Sequence, residues 1–289
     1  MQQFNDQQNQ AKEWFQSLQS AIIAAFEKIE SDYLTQKNHP IKPDFTTPQK
    51  FQQTPWNRAE GGGGIMTKLK GNVFEKVGVN FSQVDGKFSK EFAKKIPGAQ
   101  ESNGNFWASG ISLVAHMRSP LVPAIHMNTR FICTSKSWFG GGIDLNPALP
   151  EKQETQKFHQ ILKQTCDTHD EKYYQDFKEY CDDYFFIKHR GLPRGVGGIF
   201  FDYLNTNNFE NDFNFTKDVG KTFLKCFEPI VRNKMLKPWS EKQREQQLKY
   251  RSLYAEFNLL YDRGTKFGLN TNGNVDAILV SMPPLAKWD

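Results

Sequence analysis

The stretch GISLVAHMRSPLVPAIHMNTRF (110–131) sets histidine, arginine, serine and asparagine into otherwise apolar text. In a β-strand alternate residues share a face. Ser112, Val114, His116 and Arg118 then fall on one face, against Ile111, Leu113, Ala115 and Met117 on the other. In the second piece His126, Asn128 and Arg130 group together, opposite Ile125, Met127, Thr129 and Phe131. If SPLVP turns the chain back, the two polar rows adjoin in one patch of hydroxyl, imidazole, amide and guanidinium groups. Guanidinium beside imidazole and amide suits carboxylates or phosphates, because its fork of N–H donors matches a pair of oxygens. The plainer alternative is a solvated sheet face, but such faces favour Lys, Glu and Thr over this directional set.

Three glycine clusters lie near this patch in character: EGGGGIM (60–66), WFGGGIDLNP (138–147) and RGVGGIFFDYL (194–204). None is followed by Gly-Lys-Ser/Thr, and none opens a helix as a dinucleotide fingerprint does. Glycines of this kind make turns or let backbone approach a flat or bulky ligand. Asp144, Asp202, Glu256 and Asp262 sit among apolar and aromatic neighbours, where a carboxylate must be paired or hydrogen-bonded. Arg194 and Arg263 are the nearby candidate partners. Outside the strands, His159 stands beside Phe158, Ile161 and Leu162, and His189 follows Phe185 at an expected helix C-terminus. Both positions have adequate structural explanations, and the histidine spacings fit no compact metal motif. Cys133, Cys166, Cys181 and Cys226 are far apart, so buried free thiols are expected rather than a zinc or iron–sulfur ligand set.

The elements that must position these groups follow from periodicity. Residues 1–10 are rich in Gln and Asn and read as frayed. Trp14, Leu18, Ile22, Phe26 and Ile29 recur at helical spacing, and a Pro-rich arm occupies 37–57. The text from 65 to 147 is strand-like, 150–191 strongly helical, and 197–204 strand again. Two helices broken near KPWS fill 216–252, where Ser240 and Glu241 suit a helix start. Residues 253–269 read as strand and turn, and VDAILVSM as either type. With no internal repeat or clean linker, the pattern predicts one α+β domain over 1–289, a sheet with helices before, inside and after it.

Composition is that of a soluble protein, with 24% charged and 38% apolar residues among 289 and a net charge of +5. Aromatics are plentiful, including 25 Phe, which favours thick sheet–helix layers. The basic residues are dispersed, which argues against nucleic acid. The longest aliphatic run, AIIAAF (21–26), is too short to cross a bilayer. The N-terminus has no basic or Arg-rich targeting character, and a cytoplasmic protein of bacterial type is expected.

Taken together, WNRAEGGGG, VFEKVGVNFS, SWFGGGIDLNP, YFFIKHRGLPRGVGGIFFDYLN, YAEFNLLYDRGTKFGL and SMPP resemble the oxygen-dependent coproporphyrinogen III oxidases, from about Trp14 to Trp288. The resemblance implies a large antiparallel sheet between layers of helices, a homodimer, and a place in haem biosynthesis. The reaction it implies is oxidative decarboxylation of two propionates of coproporphyrinogen III to vinyls, giving protoporphyrinogen IX. Dioxygen is the oxidant, and CO2 and H2O2 are released. It assigns Ser112, Asn128, Thr129 and Arg130 to substrate, together with the segment matching Asn272, Gly273 and Asn274. It makes His126 a proton donor, and His116, His126, His159 and His189 ligands of a divalent metal, with no organic cofactor. Asp202 is the candidate for the pyrrole N–H groups, and Asp262 the runner-up. The sequence departs from the commoner family pattern at FFDYL, where relatives read FFDDL, at TNGN, where many carry TGGR, and at LYAEF, where many carry RYVEF. These losses raise the alternative of a tetrapyrrole-binding protein without catalysis. A third reading, a non-haem iron oxygenase, requires two histidines and a carboxylate on one iron.

Overall fold

The computed structural model describes residues 4–36, 39, 41–270 and 274–289. A seven-stranded antiparallel sheet dominates it. β1 (Gln52–Asn57), β2 (Gly62–Lys68), β3 (Phe74–Lys87), β4 (Asn105–Met117), β5 (Ala124–Cys133) and β6 (Ser137–Asn146) follow in chain order, and the last place is taken by β9 (Gly198–Leu204). Between β3 and β4 lies the short helix α2 (Lys90–Ala93). Between β6 and β9 the chain makes α3 (Lys152–Asp167), α4 (Tyr173–Tyr184) and a two-stranded hairpin of β7 (Phe186–Ile187) and β8 (Leu192–Pro193).

Period-two alternation decides what the sheet does with its two sides. β5 is buried at every second residue, Ile125, Met127, Thr129, Phe131 and Cys133. This apolar side packs under α1 (Asn5–Leu34), α3 and α5 (Phe209–Lys234). The expected stripe of α1 is buried from Leu18 to Ile29, with Phe26 stacked on Phe74 at 4.4 Å. Each such ring fully withdrawn from water contributes about 2–3 kcal/mol of hydrophobic stabilisation. Residues 5–10, expected to be frayed, form the first turns of α1. The helix continues them because Ala11 and Phe15 are anchored in the core just beyond.

The other side of the sheet is covered only in part, by α6 (Glu241–Leu260), α7 (Arg263–Asn270), α8 (Val275–Leu279) and the chain after them. Ser240 opens α6 with a full capping box to Gln243. The strand expected over 253–269 is the end of α6 followed by α7. Among the buried residues of α6, Gln247, Arg251, Tyr254, Ala255 and Asn258 recur at three and four, with Phe257 beside them, so the aromatic content of this stretch serves a helix face. The helical 150–191 stretch also divides: α3 and α4 are separate, and the helix ends at Tyr184. His189 therefore lies in the β7–β8 turn, not at a helix end. The four cysteines are free and buried, as expected. Among the described residues no helix is long and apolar enough to cross a membrane.

Candidate functional site

The polar rows of β4 and β5 do adjoin. Ser112 pairs with Asn128, and Gly110 with Arg130. β6 continues the rows, with Asp144 opposite His126, Gly142 opposite Asn128 and Gly140 opposite Arg130. β3 extends them the other way, with Asn80 beside Ser112 and Ser82 beside Gly110. Directional side chains are thus set among positions that have little or no side chain. Gly140 shows why: an added Cβ would stand 3.0 Å from Arg130 Nε and Nη2 and from Asp202 Oδ1.

One end of this face is closed. Asp144 is 2% exposed. Its Oδ1 accepts from His126 Nδ1 at 2.7 Å, and its Oδ2 accepts from Arg194 Nη2 at 2.7 Å and Asn146 Nδ2 at 2.8 Å. Asn128 Nδ2 donates to His126 Nε2 at 3.2 Å. The imidazole is therefore held with its proton on Nδ1 and its Nε2 as acceptor. Arg194, as buried as its partner, donates to Asn258 Oδ1 at 2.9 Å. Its guanidinium lies 4.0, 4.6 and 4.8 Å from the ring centroids of Phe185, Tyr254 and Phe257. Burial alone would push the Asp144 carboxyl up; the charge of Arg194 and the His126 contact overcome this and hold it well below the usual carboxylate range. Arg194 Nε, buried in this ring-lined pocket, has no hydrogen-bond partner, so the guanidinium is held by Asp144, Asn258 and the aromatic faces alone.

The other end is open. Ser112 is exposed, and Asn128 and Arg130 are half-buried. Asp202 arrives from β9, its Oδ2 2.9 Å from Arg130 Nη2 and 3.6 Å from Arg263 Nη2. Arg263 also donates to Tyr180 Oη at 2.6 Å and lies 4.7 Å from the Tyr184 ring centroid. Asp202 is thus the paired carboxylate that its surroundings demand, but its partners are Arg130 and Arg263; Arg194 belongs to Asp144. The runner-up, Asp262, accepts from Tyr184 Oη at 2.9 Å and from the Thr265 backbone N–H at 2.7 Å, so both its oxygens are engaged at the start of α7.

The remaining candidates divide. Thr129 is fully buried on the apolar side, because it alternates with Asn128 and Arg130, so its side chain cannot meet a ligand on the polar face. Asn272 and Gly273 lie outside the described residues. Asn274 caps α8, accepting from Ala277 N–H at 3.0 Å. That helix is tied to the sheet through Asn80 Nδ2, which donates to the Ala277 carbonyl at 2.9 Å in the same row as Ser112.

The four histidines do not converge. His116 donates from Nε2 to the Ser281 carbonyl at 2.8 Å. Burial, helped by the charge of Arg251, pushes it down to about 3, leaving it neutral. His159 bridges the Val196 carbonyl (2.9 Å) and Tyr174 Oη (3.1 Å). His189 bridges Glu256 (2.7 Å) and Tyr261 Oη (2.8 Å). Among the described residues no three His, Cys, Asp or Glu side chains are grouped so as to hold a metal ion. The set does not fit one shared divalent metal, since His126, His159 and His189 each have both ring nitrogens engaged by protein groups and His116 is sealed under the C-terminal chain. A two-histidine, one-carboxylate iron centre is not assembled among the described residues either.

Sequence reasoning placed Asp144 and Arg194 among charged residues needing partners but gave neither a part in the site. The missing signal was the β5–β6 register, which alone sets Asp144 opposite His126.

Comparison with known proteins bears on this face. The family model described as coproporphyrinogen III oxidase matches residues 10–289. An oxygen-dependent coproporphyrinogen-III oxidase of Rickettsia bellii is 58% identical over 275 residues, covering 95% of this chain and 96% of the relative. The proteins of that name from Rickettsia rickettsii and Rickettsia akari are 58% and 57% identical over 276 residues, covering 96% of each chain.

Proposed function

The chain belongs to the coproporphyrinogen III oxidase family, and from that premise we propose that it converts coproporphyrinogen III to protoporphyrinogen IX with dioxygen as acceptor. In each of two rounds a propionate arm, –CH2CH2COOH, and one O2 become a vinyl group, CO2 and H2O2. The observation that carries the reading is the open end of the polar face, where Asp202 on β9 is paired with Arg130 and Arg263 and the row runs across glycine positions of β6 to Arg130 and Asn128 on β5 and Ser112 on β4. A flexible tetrapyrrole with four carboxylates requires such a floor: wide, low, and edged by guanidinium and hydroxyl donors.

In this reading Arg130 takes a propionate through its fork, with Ser112 and Asn128 as further polar contacts. Asp202 has acceptor positions left beyond its two arginines, and these meet pyrrole N–H groups. Taking up an N–H proton there raises the electron density of the ring that gives electrons to dioxygen as the C–CO2 bond breaks. His126, fixed by Asp144 and Asn128, handles the proton exchanged beside the reacting arm. The histidines do not fit a shared metal, so no step is assigned to one. The protein acts as one domain and assembles as a homodimer in the cytoplasm.

The test is aerobic against anaerobic turnover of coproporphyrinogen III by the natural chain and by Asp202→Asn, which keeps shape and removes the base. A folded Asp202→Asn protein loses about 10²–10⁴-fold in turnover, the range for a missing general base. Undiminished turnover removes Asp202 from the chemistry, and substrate binding without turnover in the natural chain establishes a binding protein instead.

A further inference from the structure

The ladder between β6 and β9 runs regularly from Asp144–Gly198 to Gly141–Phe201 and then slips; its next pair is Phe139–Leu204. Asp202 and Tyr203 together therefore oppose the single residue Gly140, which is a β-bulge. Without the slip Tyr203 would stand opposite Phe139 and face the core. The bulge gives that place to Leu204, which packs against the core, and turns Tyr203 out, 47% exposed and tilted against Trp138 at 5.5 Å.

The cost is conformational. Tyr203 has φ +56°, in the left-handed region. A bulky side chain there is an outlier, and such strain persists only where the surroundings enforce it. The other described non-glycine residues with positive φ, Asn103 and Asn207, are of a type that tolerates it. What this conformation achieves is local: the Tyr203 backbone N–H donates to Asp202 Oδ1 at 3.1 Å, while Oδ2 is held by Arg130 at 2.9 Å. One donor on each oxygen fixes the carboxylate plane, and Gly140 opposite leaves room for it.

We infer that Tyr203 is a positioning residue for Asp202, acting through its left-handed backbone and not through its ring. This rests on the reading of Asp202 as the group that meets substrate. The experiment compares Tyr203→Gly and Tyr203→Asn, which keep access to positive φ, with Tyr203→Val and the milder Tyr203→Ala, which oppose it. Each is made with and without Asp202→Asn. Turnover of coproporphyrinogen III under air is measured per folded molecule, with KM determined separately.

Tyr203→Val lowers kcat roughly ten- to a hundred-fold, as expected for a misplaced reacting group. Tyr203→Ala falls in the same direction, and Gly and Asn restore most of the loss. In the Asp202→Asn background the Val substitution costs nothing further, because the two act as one unit. If Gly and Asn fall as far as Val, the ring matters and the inference is overturned. Losses that simply multiply with that of Asp202→Asn overturn it as well, as does a Val variant with full turnover. Should Val fail to fold, the Ala and Gly pair, differing by one methyl group, decides on the same terms. Full turnover in Asp202→Asn alone is a different result: it refutes the role of Asp202 itself, whatever Tyr203 does.

Discussion

Replacing Asp144 by Asn removes a charge but almost no volume, and its consequences can be worked from the contacts. Oδ1 of the new amide still accepts from His126 Nδ1, so the ring plane survives. What is lost is the anion beside Arg194, whose guanidinium stays 2% exposed with only Asn258 and three aromatic faces as partners. Leaving one member of a buried pair uncompensated costs about 3–5 kcal/mol. In a chain of this size that is a fall of roughly 5–8 °C in Tm. The pH dependence carries a second signature. The Asp144 carboxyl is held below its unfolded value, so its stabilisation is complete above about pH 4 and is lost as pH falls toward the folded value. Thermal melts from pH 7 to pH 2 therefore show a steeper acid limb for the natural chain than for Asp144→Asn. Replacing Arg194 by Met as well, in the double variant, recovers a large part of the lost stability, because the orphaned charge is gone. An Asp144→Asn protein within about 1 kcal/mol of the natural one, with an unchanged acid limb, would refute the claim that this pair is coupled.

Two further outcomes follow from the site. Arg130→Ala weakens binding of coproporphyrinogen III by roughly 2–4 kcal/mol, seen as a rise in KM; unchanged KM and kcat place Arg130 outside the site. His159→Ala breaks two contacts that fasten α3 to Val196 and Tyr174 and costs about 1–3 kcal/mol in a denaturant titration. It leaves divalent metal content by elemental analysis where it was, whereas a proportional loss of bound metal would restore His159 as a ligand.

The polar face of β4 and β5 was legible because a strand buried on one side writes its orientation as strict alternation. Ser112, Asn128 and Arg130 could be placed together, and Thr129 apart from them, from parity alone. Its neighbours were not legible, because parity says which face a residue takes and nothing of which strand or register lies beside it. Asp144 became the partner of His126 only through the β5–β6 register, and β9 enters the sheet next to β6 after α3 and α4 have intervened. Sequence distance misled for the same reason. Arg194, eight residues before Asp202, lies ahead of the strand on the closed side of the face, while Arg130, from another strand, reaches the carboxylate. The aromatic 253–269 stretch was misread because rings favour both strands and helix faces, and the spacing of Tyr254, Phe257 and Tyr261 was the better guide.

The two ends of the face solve opposite problems with one lattice of strand positions. At the closed end a charged group must be kept from water, and both oxygens of Asp144 meet donors, from β5, β6 and the segment before β9. At the open end, in the proposed function, a charged group is offered to a ligand; Asp202 is restrained by Tyr203 and Arg130 yet left with free acceptor positions. Strand geometry fixes both, Asp144 and the position opposite Asp202 lying four residues apart along β6, which a loop-borne site would have to achieve through its own packing. The slip in the β6–β9 ladder is the one place where the lattice is broken, and it falls at the residue proposed to touch substrate. A regular strand would have delivered Asp202 to this face by parity, but without the turned N–H that fixes its plane; the strained tyrosine follows from requiring orientation as well as position.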